Sequence, residues 1–191
     1  CSHDNTLILW DLNNGKIIQQ LKGHTNWVLH CAYIGEDKAL SCSHDNTLIL
    51  WDLNNGKIIQ QLKGHTNAVN HCAYIGDNKA LSCSFDKTLI LWDLTNGTII
   101  QQFEGHTHSV LHCSYLGDGR AISCGADGSV RLWDLVEGRL LSSFYHLDGG
   151  HAVLRDGQFL DYGGDGLWER FYARGVGDDG VYYFDEVFFG S

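Results

Sequence analysis

Short apolar segments alternate with polar turns along most of this chain, and each segment has the length of a strand. Trp27 to Ile34, Lys38 to Ser43, Thr47 to Leu53 and Lys57 to Leu62 are rich in Val, Ile, Leu, Trp, Tyr and Thr. Such residues fit a pleated, half-buried surface. Between them stand Gly-Glu-Asp at 35–37, His-Asp-Asn at 44–46, Asn-Asn-Gly at 54–56 and Lys-Gly-His at 63–65. These are turn formers. No helical i, i+3, i+4, i+7 stripe persists for 11 residues, and the chain has no proline to interrupt a strand. The pattern predicts four strands in succession, a, b, c and d.

The pattern then repeats. The 26 residues from Cys1 to Asn26 recur unchanged from Cys42 to Asn67, an offset of 41, and looser copies open at Cys83 and Cys124. A period of this size means stacked units, none of which can bury its apolar faces alone. Three landmarks keep their spacing. Gly-His occurs at Gly23-His24, Gly64-His65 and Gly105-His106, and Trp-Asp at Trp10-Asp11, Trp51-Asp52, Trp92-Asp93 and Trp133-Asp134. A lone Asp precedes each Trp by six residues: Asp4, Asp45, Asp86 and Asp127. Over residues 1 to about 144 the chain resembles the WD-repeat family, whose unit is a four-stranded propeller blade.

The resemblance implies an all-β propeller. Residues 1–22 are expected to supply strands c and d of a partial blade. Full blades follow at 23–63, 64–104 and 105–145, and 146–191 is expected to be a degenerate final blade or cap. The chain lacks Met and opens inside a repeat, which reads as an excised or processed piece. Four to five blades fall short of a common ring. Either two chains close one as a homodimer, or the remainder of a longer propeller does so.

Each full repeat holds a Ser, a His and an Asp: His24, Ser41 and Asp45; His65, Ser82 and Asp86; His106, Ser123 and Asp127. A hydrolase triad uses these residue types. A catalytic site is needed once, however, and this set recurs three times, each time with a Trp: Trp51, Trp92 and Trp133. The resemblance implies a buried structural network running from Trp through Ser and His to Asp, and no catalytic residue. A non-enzymatic chain is therefore expected.

The framework is nearly constant, so the differences stand out. After Gly-His-Thr the copies read Asn26-Trp27, Asn67-Ala68 and His108-Ser109, and two residues on they read Leu29, Asn70 and Leu111. Before the turn Asp they read His3, His44, Phe85 and Ala126; after it, Asn5, Asn46, Lys87 and Gly128. In a propeller the d–a and b–c turns emerge on one face. These positions therefore predict a rim for docking a protein or peptide, since variable loops on a constant scaffold are where recognition sits. Trp27 and Phe85 favour recognition over drift, because aromatics are enriched among binding hot spots. A purely self-assembling half-propeller is the alternative, and a hydrolase comes third.

Net charge is −10, and neither the repeats nor the tail has a basic stripe. Nucleic acid and anionic membrane are not expected as partners. No apolar run reaches the 18 residues of a membrane span. The seven cysteines occupy two repeat positions: Cys31, Cys72 and Cys113 on strand a, and Cys1, Cys42, Cys83 and Cys124 on strand b. A hairpin turning over 35–38 would set Cys31 opposite Cys42. The odd count argues against a complete disulfide framework, and reduced thiols packed between blades, in a cytoplasmic protein, are expected. His30-Cys31 and Cys42-x-His44 suggest a metal, but neighbours on a strand point to opposite faces, so neither metal nor cofactor is expected. In the tail, Asp156 to Tyr162 align with Asp118 to Cys124 at an offset of 38, placing Asp161 at the network Ser and Phe171 at the Trp.

Overall fold

The computed structural model describes residues 2–147, 150–155, 158–163, 173–176 and 182–184, with side chains for 2–145 and 152–155. Among these residues every regular element is a strand. Strands β1 (Thr6–Asp11) and β2 (Lys16–Lys22) form a two-stranded sheet. The first four-stranded sheet is β3 (Val28–Gly35), β4 (Lys38–Ser43), β5 (Thr47–Asp52) and β6 (Lys57–Lys63). The second is β7 (Val69–Gly76), β8 (Lys79–Ser84), β9 (Leu89–Asp93) and β10 (Thr98–Phe103). In the third, β11 (Val110–Gly117), β12 (Arg120–Gly125), β13 (Ser129–Asp134) and β14 (Arg139–Leu147) are continued by β15 (Gly150–Arg155) and β16 (Gln158–Gly163). Strands β17 (Ala173–Val176) and β18 (Tyr182–Phe184) pair with each other. Neighbouring strands run antiparallel within every sheet, and the three large sheets form an open propeller arc.

The turns explain the strand lengths. The a–b hairpins turn on Glu36-Asp37, Asp77-Asn78 and Asp118-Gly119, all with positive φ between 47° and 70°. Two consecutive left-handed residues make the turn whose twist matches that of paired strands. The strand a edges β3, β7 and β11 pack against one another along the inner side of the arc. The outer strands β2, β6 and β10 are largely exposed.

The core lies between sheets. Leu40, Cys42, Leu48, Leu50 and Leu62 of one blade meet Val69, Cys72, Ala80, Ile90 and Trp92 of the next. The next joint repeats it, with Leu81, Cys83, Leu89, Leu91 and Phe103 against Val110, Cys113, Ala121 and Trp133. Burial of this kind stabilises by about 25 cal/mol per Å² of apolar surface, so each blade depends on its neighbours.

One register expectation is corrected. Bulges at 28/30 and 33/35 shift the hairpin, so Cys31 pairs with Ser41 while Cys42 pairs with His30. Cys31 is exposed, Cys42 is buried, and both are free thiols, as are Cys72, Cys83, Cys113 and Cys124. The tail positions Asp156, Gly157 and Phe171 lie outside the described residues.

Candidate functional site: a variable rim above buried networks

Three side-chain chains run through the blades. In the first, Trp51 Nε1 donates to Ser41 Oγ at 2.8 Å, Ser41 Oγ lies 2.8 Å from His24 Nε2, and His24 Nδ1 lies 2.8 Å from Asp45 Oδ2. An ionised carboxylate only accepts, so Nδ1 carries the imidazole proton. Nε2 then accepts from the serine hydroxyl, and every proton in the chain has one direction. The chains Trp92–Ser82–His65–Asp86 and Trp133–Ser123–His106–Asp127 repeat this geometry at 2.7–2.9 Å.

The Asp also organises its own turn. Asp45 Oδ1 accepts from Thr47 N and Oγ1 at 3.0 and 2.7 Å, and Oδ2 accepts from Thr25 N at 2.9 Å. Burial pushes this carboxyl up, but the hydrogen bonds from His24, Thr47 and Thr25 outweigh it and hold it well below the usual range. Asp86 behaves alike. At Asp127 burial is overcome by Ser129, His106 and Thr107, and its value falls to about 2. Burial lowers His106, against the pull of Asp127. The third network also gains Arg131, which donates from Nε to Ser129 Oγ at 3.0 Å and lies 3.6 Å from Asp127 Oδ2.

The Gly of each Gly-His pair is a packing requirement. A Cβ on Gly23 would lie 2.7 Å from Ile58 Cδ1 and 2.9 Å from Trp51 Cη2, and Gly64 meets Ile99 and Trp92 in the same way. Larger residues there would displace the Trp that feeds the network.

These bonds draw the d–a and b–c turns to one side of the blade. Thr25 N and His24 both reach Asp45, Ser43 Oγ donates to Asn26 O at 3.0 Å, and His44 N donates to Trp27 O at 2.8 Å. The rim above carries a row of aromatic rings. His3 stacks on Trp27 with centroids 4.0 Å apart and planes 11° apart. Trp27 meets His44 edge-on at 5.7 Å, and His44 meets Phe85 edge-on at 6.1 Å. The row crosses from the b–c turn before β1 to that before β9. Asn26, Trp27, Asn67, Lys87, His108 and Ala126 are exposed, and Ser109 is half-buried.

Ala68 is a correction: it is fully buried and lies beneath the rim, so it offers a partner no surface. Where Trp27 projects outward, Ala68 is small enough to be covered. Asn70 is also structural, donating from Nδ2 to Val110 O at 2.7 Å in the next blade.

Two groups escaped the sequence reading. Thr47, Thr88 and Ser129 each hold the turn Asp two residues before them, at 2.7 Å. The hydroxyl at that fixed offset was the available signal. The second group is a column of imidazoles on the inner strands, His30, His71 and His112, with centroids 3.9 and 3.8 Å apart. Cys72 Sγ lies 3.7 Å from His30 Nδ1, and that contact raises His30. Burial, then the charges of His30 and His112, lower His71 to about 3. The rings are tilted by 37° and 33° to one another. Among the described residues no three metal-type ligands come together.

The WD domain, G-beta repeat family matches residues 15–52, 56–93 and 97–134. No curated protein sequence matches the chain. The crystal structure of the WD40 beta propeller domain of Doa1 is similar at 30% identity and a TM-score of 0.66, over 79% of this chain and 54% of that one. The chain thus spans about half the length of that structure. Three matched repeats on three antiparallel sheets, two of four strands and one of six, each with its Gly-His and Trp-Asp in place, make this chain a member of the WD-repeat propeller family.

Proposed function

We propose that this chain is a non-enzymatic recognition module whose d–a/b–c rim docks a protein or peptide. WD-repeat propellers serve generally as protein-interaction scaffolds. The observation that carries the finer reading is the aromatic row His3–Trp27–His44–Phe85. His3 and Trp27 are exposed and His44 and Phe85 half-buried, and aromatic surface held on a rigid frame binds at low entropic cost. Around it, Asn26, Asn67, Lys87, His108 and Ser109 supply the polar, repeat-specific part of the rim, and Ala126 a small apolar one.

The serines argue against hydrolysis. Ser41, Ser82 and Ser123 are buried beneath the rim, and each already accepts a Trp indole proton. A nucleophile needs access to substrate. The six described cysteines are free thiols, which fits a reducing compartment, and the cytoplasm is the proposed location.

Selection of a random displayed-peptide library on the purified protein tests the reading. Selected peptides should lose binding to a Trp27→Ala, Phe85→Ala, His108→Ala variant that melts like the parent. Peptides that bind this variant equally well would overturn the rim. Labelling by a serine-reactive probe, abolished by Ser41→Ala, would overturn the non-enzymatic reading.

A further inference from the structure

We propose that His30 with Cys72, and His71 with Cys113, form two binding sites for a soft monovalent cation of the copper(I) class, set between the inner strands of neighbouring blades. This goes beyond the rim and does not depend on it.

His30 lies on β3, His71 and Cys72 on β7, and His112 and Cys113 on β11. Alternation along a strand turns His30 away from Cys31, but it does not separate His30 from the strand a of the next blade. Cys72 Sγ lies 3.7 Å from His30 Nδ1, and Cys113 Sγ lies 3.8 Å from His71 Nδ1. The two pairs have one geometry, and each spans a joint between blades. Both sulfurs belong to fully buried residues, while both imidazoles are half-buried. An ion arriving from the inner side of the arc therefore meets the ring first and the sulfur behind it. A thiol is a weak hydrogen-bond donor, so the contact gains little stability from its proton alone.

Donor number and charge select the ion. Zinc takes four ligands and calcium six or more oxygens, whereas among the described residues no three ligand-type side chains come together. A soft monovalent ion with a filled d shell is satisfied by two donors, and thiolate favours copper(I). On binding, the ion replaces the thiol proton, which leaves to solvent, and Nδ1 of the neutral imidazole donates its lone pair while Nε2 keeps the ring proton. Thiolate and monovalent cation then sum to zero charge. That suits the walls: Leu40, Val69 and Ala80 share a buried cluster with Cys72, and Leu81, Val110 and Ala121 share one with Cys113. A divalent ion on the same two donors would leave a net charge in apolar surroundings.

The separations fit. A first-row metal ion sits about 2.0–2.1 Å from imidazole nitrogen and about 2.3 Å from thiolate sulfur, so the two bonds end to end span about 4.4 Å. Linear coordination needs each pair to open by roughly 0.6–0.7 Å from its present distance, and a bent arrangement needs less.

Titration of the reduced full chain with copper(I), against a chromophoric copper(I) chelator, tests this. The parent should hold two ions per chain, one for each pair. His30→Phe combined with His71→Phe leaves all seven cysteines in place and should lose both ions. His112 lies against His71 but meets no sulfur among the described residues, so His112→Phe should keep both. A parent that yields all its copper to the chelator overturns the inference. So does a double variant that holds as much copper as the parent, which would mean binding by thiols alone. Copper K-edge absorption of the loaded parent decides independently of how any variant folds. One nitrogen and one sulfur per copper is the expected shell, and a shell of sulfur only overturns the sites.

Discussion

The segment opening at Cys1 and the segment opening at Cys42 have the same 26 letters and different surroundings. Both form the same two strands, β1–β2 and β5–β6, with the same bulge, Leu9/Trp10 in one and Leu50/Trp51 in the other. Both close the c–d turn alike: Gly15 N donates to Asp11 O and Gly56 N to Asp52 O, each at 2.8 Å. Local structure is therefore set by local sequence. Burial is not. Trp51 has no exposed surface and a serine partner, whereas Trp10 lies open. The strand pattern belongs to the repeat, and the stability belongs to the joint between repeats.

The widest gap should open at the tryptophans. Trp51→Ala empties the joint and deprives Ser41 of a donor, costing about 3–5 kcal/mol, the range for a buried large aromatic. Trp10→Ala in the single chain should leave the melting temperature nearly unchanged. Chemical denaturation of the two variants checks this, and equal losses would dissolve the comparison.

The turn aspartates come next. Asp45→Ala leaves His24 Nδ1, Thr25 N and the Thr47 hydroxyl without their acceptor, costing about 1–3 kcal/mol. Among the described residues Asp4 Oδ1 accepts from Thr6 N and Oγ1 within its own turn, and Asp4 N donates to Ser2 Oγ, so Asp4→Ala should not change the melting temperature. An Asp45→Ala variant as stable as the parent would show that the network does not brace the blade.

Acid should act mainly through the complete blades. An unfolded histidine titrates near 6.5, but folded His71 is held at about 3 and His106 is also lowered. The unfolded chain then binds more protons below pH 6.5, so stability is complete above that value and falls as pH drops. Asp127 adds a second loss as pH falls from the ordinary carboxylate value of 3.8 toward about 2. His30, raised by Cys72, acts in the opposite sense and is lost as pH rises above 6.5. Melting curves should decline from about pH 6 downward, more steeply below about pH 4. Stability unchanged down to about pH 4 would contradict the histidine assignment.

The smallest effect concerns one turn residue. Lys87 holds φ at 75° where Asn5, Asn46 and Gly128 hold 69°, 70° and 74°. A side chain with a long stem is disfavoured there, so Lys87→Gly should stabilise by up to about 1 kcal/mol. A lower melting temperature would mean that the lysine stem contributes more than its backbone costs.

Strands were legible because both their signals are local. Lys38 to Ser43 is read from its letters and is β4 as it stands, and the turns at 35–37 and 44–46 are bounded by the residues that tolerate left-handed backbone. The network residues were legible because they recur at a fixed offset. What was lost depends on three-dimensional detail. A bulge, invisible in the letters, moves Cys31 from Cys42 to Ser41. Whether Ala68 stands on the rim or beneath it depends on what covers a small side chain. The close approach of His30, His71 and His112 depends on how near the inner strands come to one another.

Hydrogen exchange at the tryptophan indoles, read by NMR, tests the central claim of an exposed rim on a hydrogen-bonded frame. The indole protons of Trp51, Trp92 and Trp133 should exchange slowly and that of Trp27 rapidly, and Ser41→Ala should release Trp51 while sparing Trp133. Fast exchange at Trp51, or exchange there that ignores Ser41→Ala, would contradict it.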